Sequence, residues 1–258
     1  GGSADLSGDG TIDATEEETS ASPPYGDADI FISAFSSSGT SLWTERLGGS
    51  GFDYGEAIAT DASGNVYVTG RVAGSADLNG DGTIDATEEE TAALPYGSND
   101  IFVSAFDSTG TSLWTERLGG SGFDYGYAIA TDSSGNVYVT GSVAGSADLD
   151  GDGTIDATEE ETAASPYGGF SDIFVSAFDS TGTSLWTERL GGSSFDYGRG
   201  ITTDSSGNVY VTGNVAGSAD LSGDGTIDAT EEETSASPYG DNDIFVSAFD
   251  STGTSLWT

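Results

Sequence analysis

At 258 residues the chain has room for one or two ordinary domains, and it carries 44 Asp and Glu against 5 Arg, for a formal net charge of −39. Such a balance provides no positive groove for nucleic acid or an anionic membrane, and it attracts divalent cations. The absence of Cys, His and Lys removes disulfides, soft transition-metal sites and the usual catalytic nucleophiles and bases, and no apolar run is long enough to cross a membrane as a helix.

The chain opens on a twelve-residue acidic segment at Asp5 that returns at Asp77, Asp148 and Asp220, at spacings of 72, 71 and 72 residues. A period of this kind overrides the length-based reading and marks a tandem repeat. After the first acidic segment, the reading expects strands around Ile30–Phe35 and Leu42–Leu47. The repeat unit is followed most easily from Tyr127. A strand over 127–132 is followed by the turn Ser133-Ser-Gly-Asn136 and a strand over 137–140, rich in β-branched and aromatic residues. The acidic segment comes next, then a linker ending in Pro166-Tyr-Gly168, a strand over 172–178, the turn Asp179-Ser-Thr-Gly182 and a strand over 184–190.

Strands such as Ile101-Phe-Val-Ser-Ala-Phe106 are apolar on both faces, so a unit buries itself only by stacking on neighbours. The expected fold is all-β: tandem four-stranded propeller-type blades of about 45 residues plus an insert. The count is fourteen strands, or three and a half blades, so the array is either part of a larger propeller or an open helical stack. The expected units are 1–56 (a loop plus the last two blade strands), 57–127, 128–199 and 200–258. Because the chain begins and stops inside a repeat with no initiator Met or signal peptide, it reads as a section of a longer or processed polypeptide.

Within each acidic segment the spacing is that of a calcium loop of the EF-hand kind: oxygen ligands at positions one, three, five, seven (a backbone carbonyl), nine and twelve, and Gly at six for the sharp bend. The first copy supplies Asp5, Ser7, Asp9, Thr11, Asp13 and Glu16. The second supplies Asp77, Asn79, Asp81, Thr83, Asp85 and Glu88, and the third Asp148, Asp150, Asp152, Thr154, Asp156 and Glu159. The fourth supplies Asp220, Ser222, Asp224, Thr226, Asp228 and Glu231.

One calcium per loop, four in all, is therefore expected, with the third site tightest because Asp150 adds a charge. Affinities on the order of 10⁻⁴ to 10⁻³ M would suit permanent occupancy outside a cell. The apolar residue at position eight, Ile12 in the first copy, is expected to anchor the loop inward. The chain before each loop reads as strand, whereas Glu160-Glu-Thr-Ala-Ala164 has room for one or two helical turns. The loops thus resemble the isolated calcium loops of dockerins and thrombospondins, and imply a structural ion and not a groove-opening switch. They are expected to project from equivalent blade edges.

The pattern Asp172-Ile-Phe-Val-Ser-Ala-Phe-Asp-Ser-Thr-Gly, Leu185-Trp, Leu190-Gly-Gly, Asp196-Tyr-Gly, Ile201 and Asp204-Ser-Ser-Gly-Asn-Val-Tyr-Val-Thr-Gly213 resembles the bacterial SBBP-type β-propeller repeat, over every unit outside the insert. In that family the Gly-Asn-Val-Tyr-Val-Thr-Gly segment is the second strand of a blade and Asp-Ile-Phe-Val the third. The resemblance implies a prokaryotic, exported, surface-associated protein and no enzyme activity. The calcium insert is a departure from the family pattern.

Trp43, Trp114, Trp186 and Trp257 are expected in the blade core or between blades, Asp53, Asp124 and Asp196 as caps of local N–H groups, and Arg46, Arg117 and Arg189 in structural ion pairs. The expected function is a non-enzymatic, calcium-stabilised extracellular structural repeat protein building a surface layer, matrix or filament, with an adhesion or ligand-binding propeller as the alternative. Its expected partners are copies of itself or a cell-surface or matrix component, with neither nucleic acid binding nor membrane insertion.

Overall fold

A computed structural model describes residues 3–12, 26, 28–85, 88, 97–156, 159, 167, 170–228, 231 and 242–258. Asp13, Glu16 and the segment 160–164 expected to be helical lie outside the described residues. The described residues form seventeen strands, which are the fourteen expected blade strands and three two-residue additions. The first sheet contains β1 (Ile30–Phe35) and β2 (Ser41–Gly49). The second contains β3 (Tyr54–Thr60), β4 (Val66–Val72), β6 (Asp100–Phe106) and β7 (Ser112–Gly120). The third repeats it as β8 (Tyr125–Thr131), β9 (Val137–Val143), β11 (Asp172–Phe178) and β12 (Ser184–Gly192). The fourth is β13 (Tyr197–Thr203), β14 (Val209–Val215), β16 (Asp243–Phe249) and β17 (Ser255–Trp257). Neighbours within each blade are antiparallel, in the order first, second, third, fourth strand.

The three additions are β5 (Ala76–Asp77), β10 (Ala147–Asp148) and β15 (Ala219–Asp220). Each follows the second strand of its own blade, yet pairs with the fourth strand of the blade before it. Ala147 lies opposite Gly120 and Asp148 opposite Gly119. The insert therefore crosses a blade junction, and the blade it joins gains a short fifth strand.

Strand alternation explains the stacking. In β6 the Ile101, Val103 and Ala105 side chains take one face and Phe102 and Phe106 the other, and all are fully buried. Phe102 and Phe106 join a core with Ile30, Ile32 and Leu47 of the preceding blade, whereas Ile101 and Val103 join one with Val137, Val139 and Phe174 of the following blade. Each blade thus turns a phenylalanine face backwards and an aliphatic face forwards.

The tryptophans lock this arrangement. Trp114 packs against Tyr67 of its own blade and Phe178 of the next, and its indole N–H donates to the Ser180 carbonyl at 3.1 Å. Gly182 closes the turn that receives the ring. Its φ of +87° favours glycine, and a Cβ there would lie 2.9 Å from Trp114 Cδ2. Inner strands are linked as well: the Thr131 hydroxyl donates to Thr60 O at 3.0 Å, and that of Thr203 to Thr131 O at 2.8 Å.

Candidate metal centre

The second, third and fourth loops each grow from the two-residue strand at a blade junction. In the third copy, Asp148 is fully buried and fixes the first bend by accepting from Gly151 N at 2.7 Å and Gly153 N at 2.8 Å. Asp150 accepts from Asp152 N at 3.0 Å, and Asp152 from Thr154 N at 2.8 Å. Glu159 folds back over the loop. Its Oε1 accepts from Leu149 N at 2.7 Å and Asp150 N at 3.1 Å, and its Oε2 from Asp156 N at 3.0 Å. The second and fourth copies repeat this closure with Glu88 on Leu78, Asn79 and Asp85, and Glu231 on Leu221, Ser222 and Asp228. The twelfth-position glutamate thus closes its loop onto backbone N–H groups in all three described closures. In the first copy Asp5 makes the same bends, to Gly8 N and Gly10 N, and Asp9 accepts from Thr11 N.

The donor set fits a calcium ion. Carboxylate oxygens of Asp148, Asp150 and Asp152 all lie within 4.8 Å of one another. That span is about twice a calcium–oxygen distance, so one ion reaches all three. Among the described residues the third loop is the one with three converging carboxylates, and the other copies carry Ser7, Asn79 or Ser222 in place of Asp150. Burial, with the Glu159 and Asp150 charges behind it, pushes the Asp148 carboxyl up to about 7. A bound cation reverses that penalty.

Two features correct the sequence reading. In the second and third copies the deeper anchor is the leucine at position two: Leu78 and Leu149 are buried, whereas Ile84 and Ile155 at position eight are half-buried, and in the first copy Ile12 is 48% exposed. Position two immediately follows the short strand and is drawn into the junction, where the third-strand serines Ser104 and Ser176 donate to the Leu78 and Leu149 carbonyls at 2.7 Å. The second, third and fourth inserts are also not simple projections from blade edges, since each is tied to two blades.

The sequence reading missed a carboxylate. Glu116, on the fourth strand of the preceding blade, faces the third loop: a Cβ on Gly151 (φ +78°) would lie 2.6 Å from Glu116 Oε2. Glu45 meets Gly80 and Glu188 meets Gly223 in the same way, at 2.8 and 2.5 Å. Burial, reinforced by Asp148 and Asp150, pushes Glu116 up to about 7, and Glu45 and Glu188 reach about 7 through burial and the nearby Asp77 and Asp220. The available signal was the recurring Glu-Arg pair. Adjacent strand residues point to opposite faces, so the arginine and glutamate need separate partners. The arginines find theirs in buried pairs, Arg46–Asp29, Arg117–Asp100 and Arg189–Asp172, each at 2.6 Å. Replacing Glu116 with Gln is expected to weaken calcium binding at the third loop about tenfold, as charged groups around a metal commonly do. Site-resolved titration checks this, and an unchanged affinity would place Glu116 outside the ion's field.

The expected caps are present: Asp124 accepts from Gly120 N at 2.7 Å and Ala144 N at 2.8 Å, and Asp53 and Asp196 act likewise.

A family described as "Beta-propeller repeat" (SBBP) matches residues 42–71, 113–142 and 185–214, and an EF-hand family matches 75–88 and 146–159. Three segments of the chain are thus similar to the SBBP-type β-propeller repeat, and the two EF-hand matches fall between them. Each SBBP match runs from the fourth strand of one blade through the first two of the next, so the matched unit spans the junction onto which an insert is tied.

Among curated proteins, the chain is 26% identical over 233 residues to the "Uncharacterized WD repeat-containing protein L264" of Acanthamoeba polyphaga mimivirus, covering 84% of this chain and 16% of that protein. It is 27% identical over 173 residues to the "Regulatory protein FlaEY" of Caulobacter vibrioides, covering 66% and 16%. The chain spans about a sixth of the length of these relatives. Among solved structures, the rhamnogalacturonan lyase YesW aligns with 92% of this chain and 46% of its own at a TM-score of 0.29 and 14% identity. A protein of unknown function from Bacteroides caccae aligns with 90% and 93% at 0.21 and 10%. Superpositions this loose carry no argument.

Proposed function

We propose that the chain is a non-enzymatic structural repeat protein of a prokaryotic cell surface or extracellular matrix, in which calcium stiffens the blade junctions of a self-associating array. Four calcium ions are assigned, one to each loop.

The observation that carries this reading is the blade junction, which is built the same way each time it occurs. Phe102 and Phe106 are fully buried against the preceding blade, Phe174 and Phe178 likewise, and the short strand of an insert pairs across each junction. A head-to-tail contact repeated in this way builds either a ring or a filament. Near-identical units support this reading because they make every junction equivalent. The absence of enzyme activity is supported by the carboxylates being committed to loops, caps and ion pairs that recur in each unit.

Electron microscopy of the native assembly with and without a calcium chelator tests the proposal. Regular filaments that loosen on chelation are expected, and discrete rings unchanged by chelation would refute it. A second reading, an adhesion or ligand-binding propeller, is favoured by an aromatic cavity at the ends of the first strands.

A further inference from the structure

The repeats are nearly identical, so the places where they differ are informative. Three of those places converge on one cavity. The third residue of the first strand is Glu56, Tyr127 or Arg199 in successive blades, and the sixth residue of the second strand is Arg71, Ser142 or Asn214. The third repeat also inserts a residue before its third strand, where Phe170 stands. Arg71, Tyr127, Arg199 and Phe170, with Tyr125 and Tyr197, line a cavity of about 520 Å³ spanning three blades. That volume is typical of a site for a small ligand.

Its walls combine two kinds of surface. Phe170 stacks on Phe195 at 4.3 Å and 12°, and Phe195 lies parallel to Tyr197 at 6.4 Å and 6°, giving a stepped stack of three nearly parallel rings. Phe170 is 62% exposed and Phe195 43%, a costly display of apolar surface unless something covers it. Arg71 lies over Tyr54 and Tyr125 at 4.3 and 4.9 Å, and Arg199 over Tyr127 and Tyr197 at 4.2 and 4.7 Å. A guanidinium stacked on a ring keeps its N–H edge available for a carboxylate. The other three arginines are locked in buried ion pairs, so these two are the cations left to recruit an anion to a chain of charge −39. Arg71 keeps a looser pair with Glu56 at 3.3 Å, and Arg199 makes no ion pair among the described residues.

We infer that this cavity binds an acidic saccharide, with the C–H face of a pyranose ring on the Phe170–Phe195–Tyr197 stack and its carboxylate on Arg199 and Arg71. The hydroxyls of Tyr125, Tyr127 and Tyr197 make no hydrogen bond among the described residues, and they suit a ligand rich in hydroxyl groups better than an aromatic acid. The inference rests on the second, ligand-binding reading and leaves the calcium-stiffened array to be tested separately.

Calorimetric titration of the calcium-saturated chain at low salt decides it, with three probes: a disaccharide ending in glucuronic acid, the corresponding glucose disaccharide, and benzoate. The acidic disaccharide is expected to saturate one site, with the other two at least tenfold weaker. Arg199→Glu and Tyr127→Glu each place a residue that the second blade already carries at Glu56, so the strand accommodates them, and an unchanged thermal midpoint verifies this. Both are expected to weaken the acidic probe at least tenfold. Absence of saturable binding, equal binding of the neutral sugar, tighter binding of benzoate, or folded variants that bind unchanged would each overturn the inference.

Discussion

Withdrawing calcium at pH 7.5 is expected to lower the thermal midpoint sharply and to make it depend on pH in the direction opposite to ordinary acid denaturation. At a hundredfold excess over its dissociation constant, an ion held only by the folded state adds about 2.7 kcal/mol. For a chain of this size, loss of one site then moves the midpoint by about 5–10 °C if unfolding is cooperative. In the ion-free chain Glu45, Glu116, Glu188 and Asp148 titrate near 7 when folded, against ordinary carboxylate values when unfolded. Between those limits the folded state holds protons that the unfolded state has released, so stability falls as pH rises through the window and levels off above about 7. Calcium replaces those protons. Binding near neutrality should therefore release protons and flatten the pH dependence. Melting curves from pH 4.5 to 8, with calcium and with chelator, check both statements. An ion-free midpoint that climbs across that range would contradict them.

Replacing Arg117 with Ala is expected to cost about 3–5 kcal/mol, because it strands a buried carboxylate. Arg117 and Asp100 meet at 2.6 Å with side chains 1% and 0% exposed, and Asp100 also accepts from Gly97 N at 3.1 Å. Arg117 further donates to the Glu88 carbonyl at 3.3 Å, so the pair supports the closing residue of the second loop. Arg71→Ala serves as the control: its ion pair with Glu56 is partly exposed, and such pairs contribute about 0–1 kcal/mol. Denaturant unfolding of both variants is the measurement. Equal losses would show that burial of the Arg117 pair is not what makes it important.

The blade strands were legible because the same β-branched and aromatic segment recurs: Asp-Ile-Phe-Val-Ser-Ala-Phe returns as β6, β11 and β16, with both faces apolar. The loops were legible because their candidate ligand residues are local in sequence, and Glu159 closes over Leu149 and Asp150. Contacts across a junction were harder to read. Nothing local to Ala147–Asp148 marks pairing with Gly119–Gly120, which depends on how two blades stack. The role of Glu116 follows from that same pairing, which brings its carboxylate to Gly151. Leu149 is buried more deeply than Ile155 at position eight for the same reason, since position two directly follows the junction strand. The aromatic cavity is visible in sequence solely as departures from the repeat, at Tyr127, Phe170 and Arg199, and only the fold brings them together.

The central claim is that calcium in each loop fastens one blade to the next. Hydrogen exchange at Gly119, Gly120, Ala147 and Asp148 tests it directly, because these residues form the junction between β7 and β10. With calcium bound, the amides that bridge these strands and the Leu149 amide held by Glu159 are expected to exchange slowly. On chelation they are expected to lose protection together, while amides inside β9 and β11 keep theirs. Unchanged protection at the junction after complete calcium removal would contradict the account.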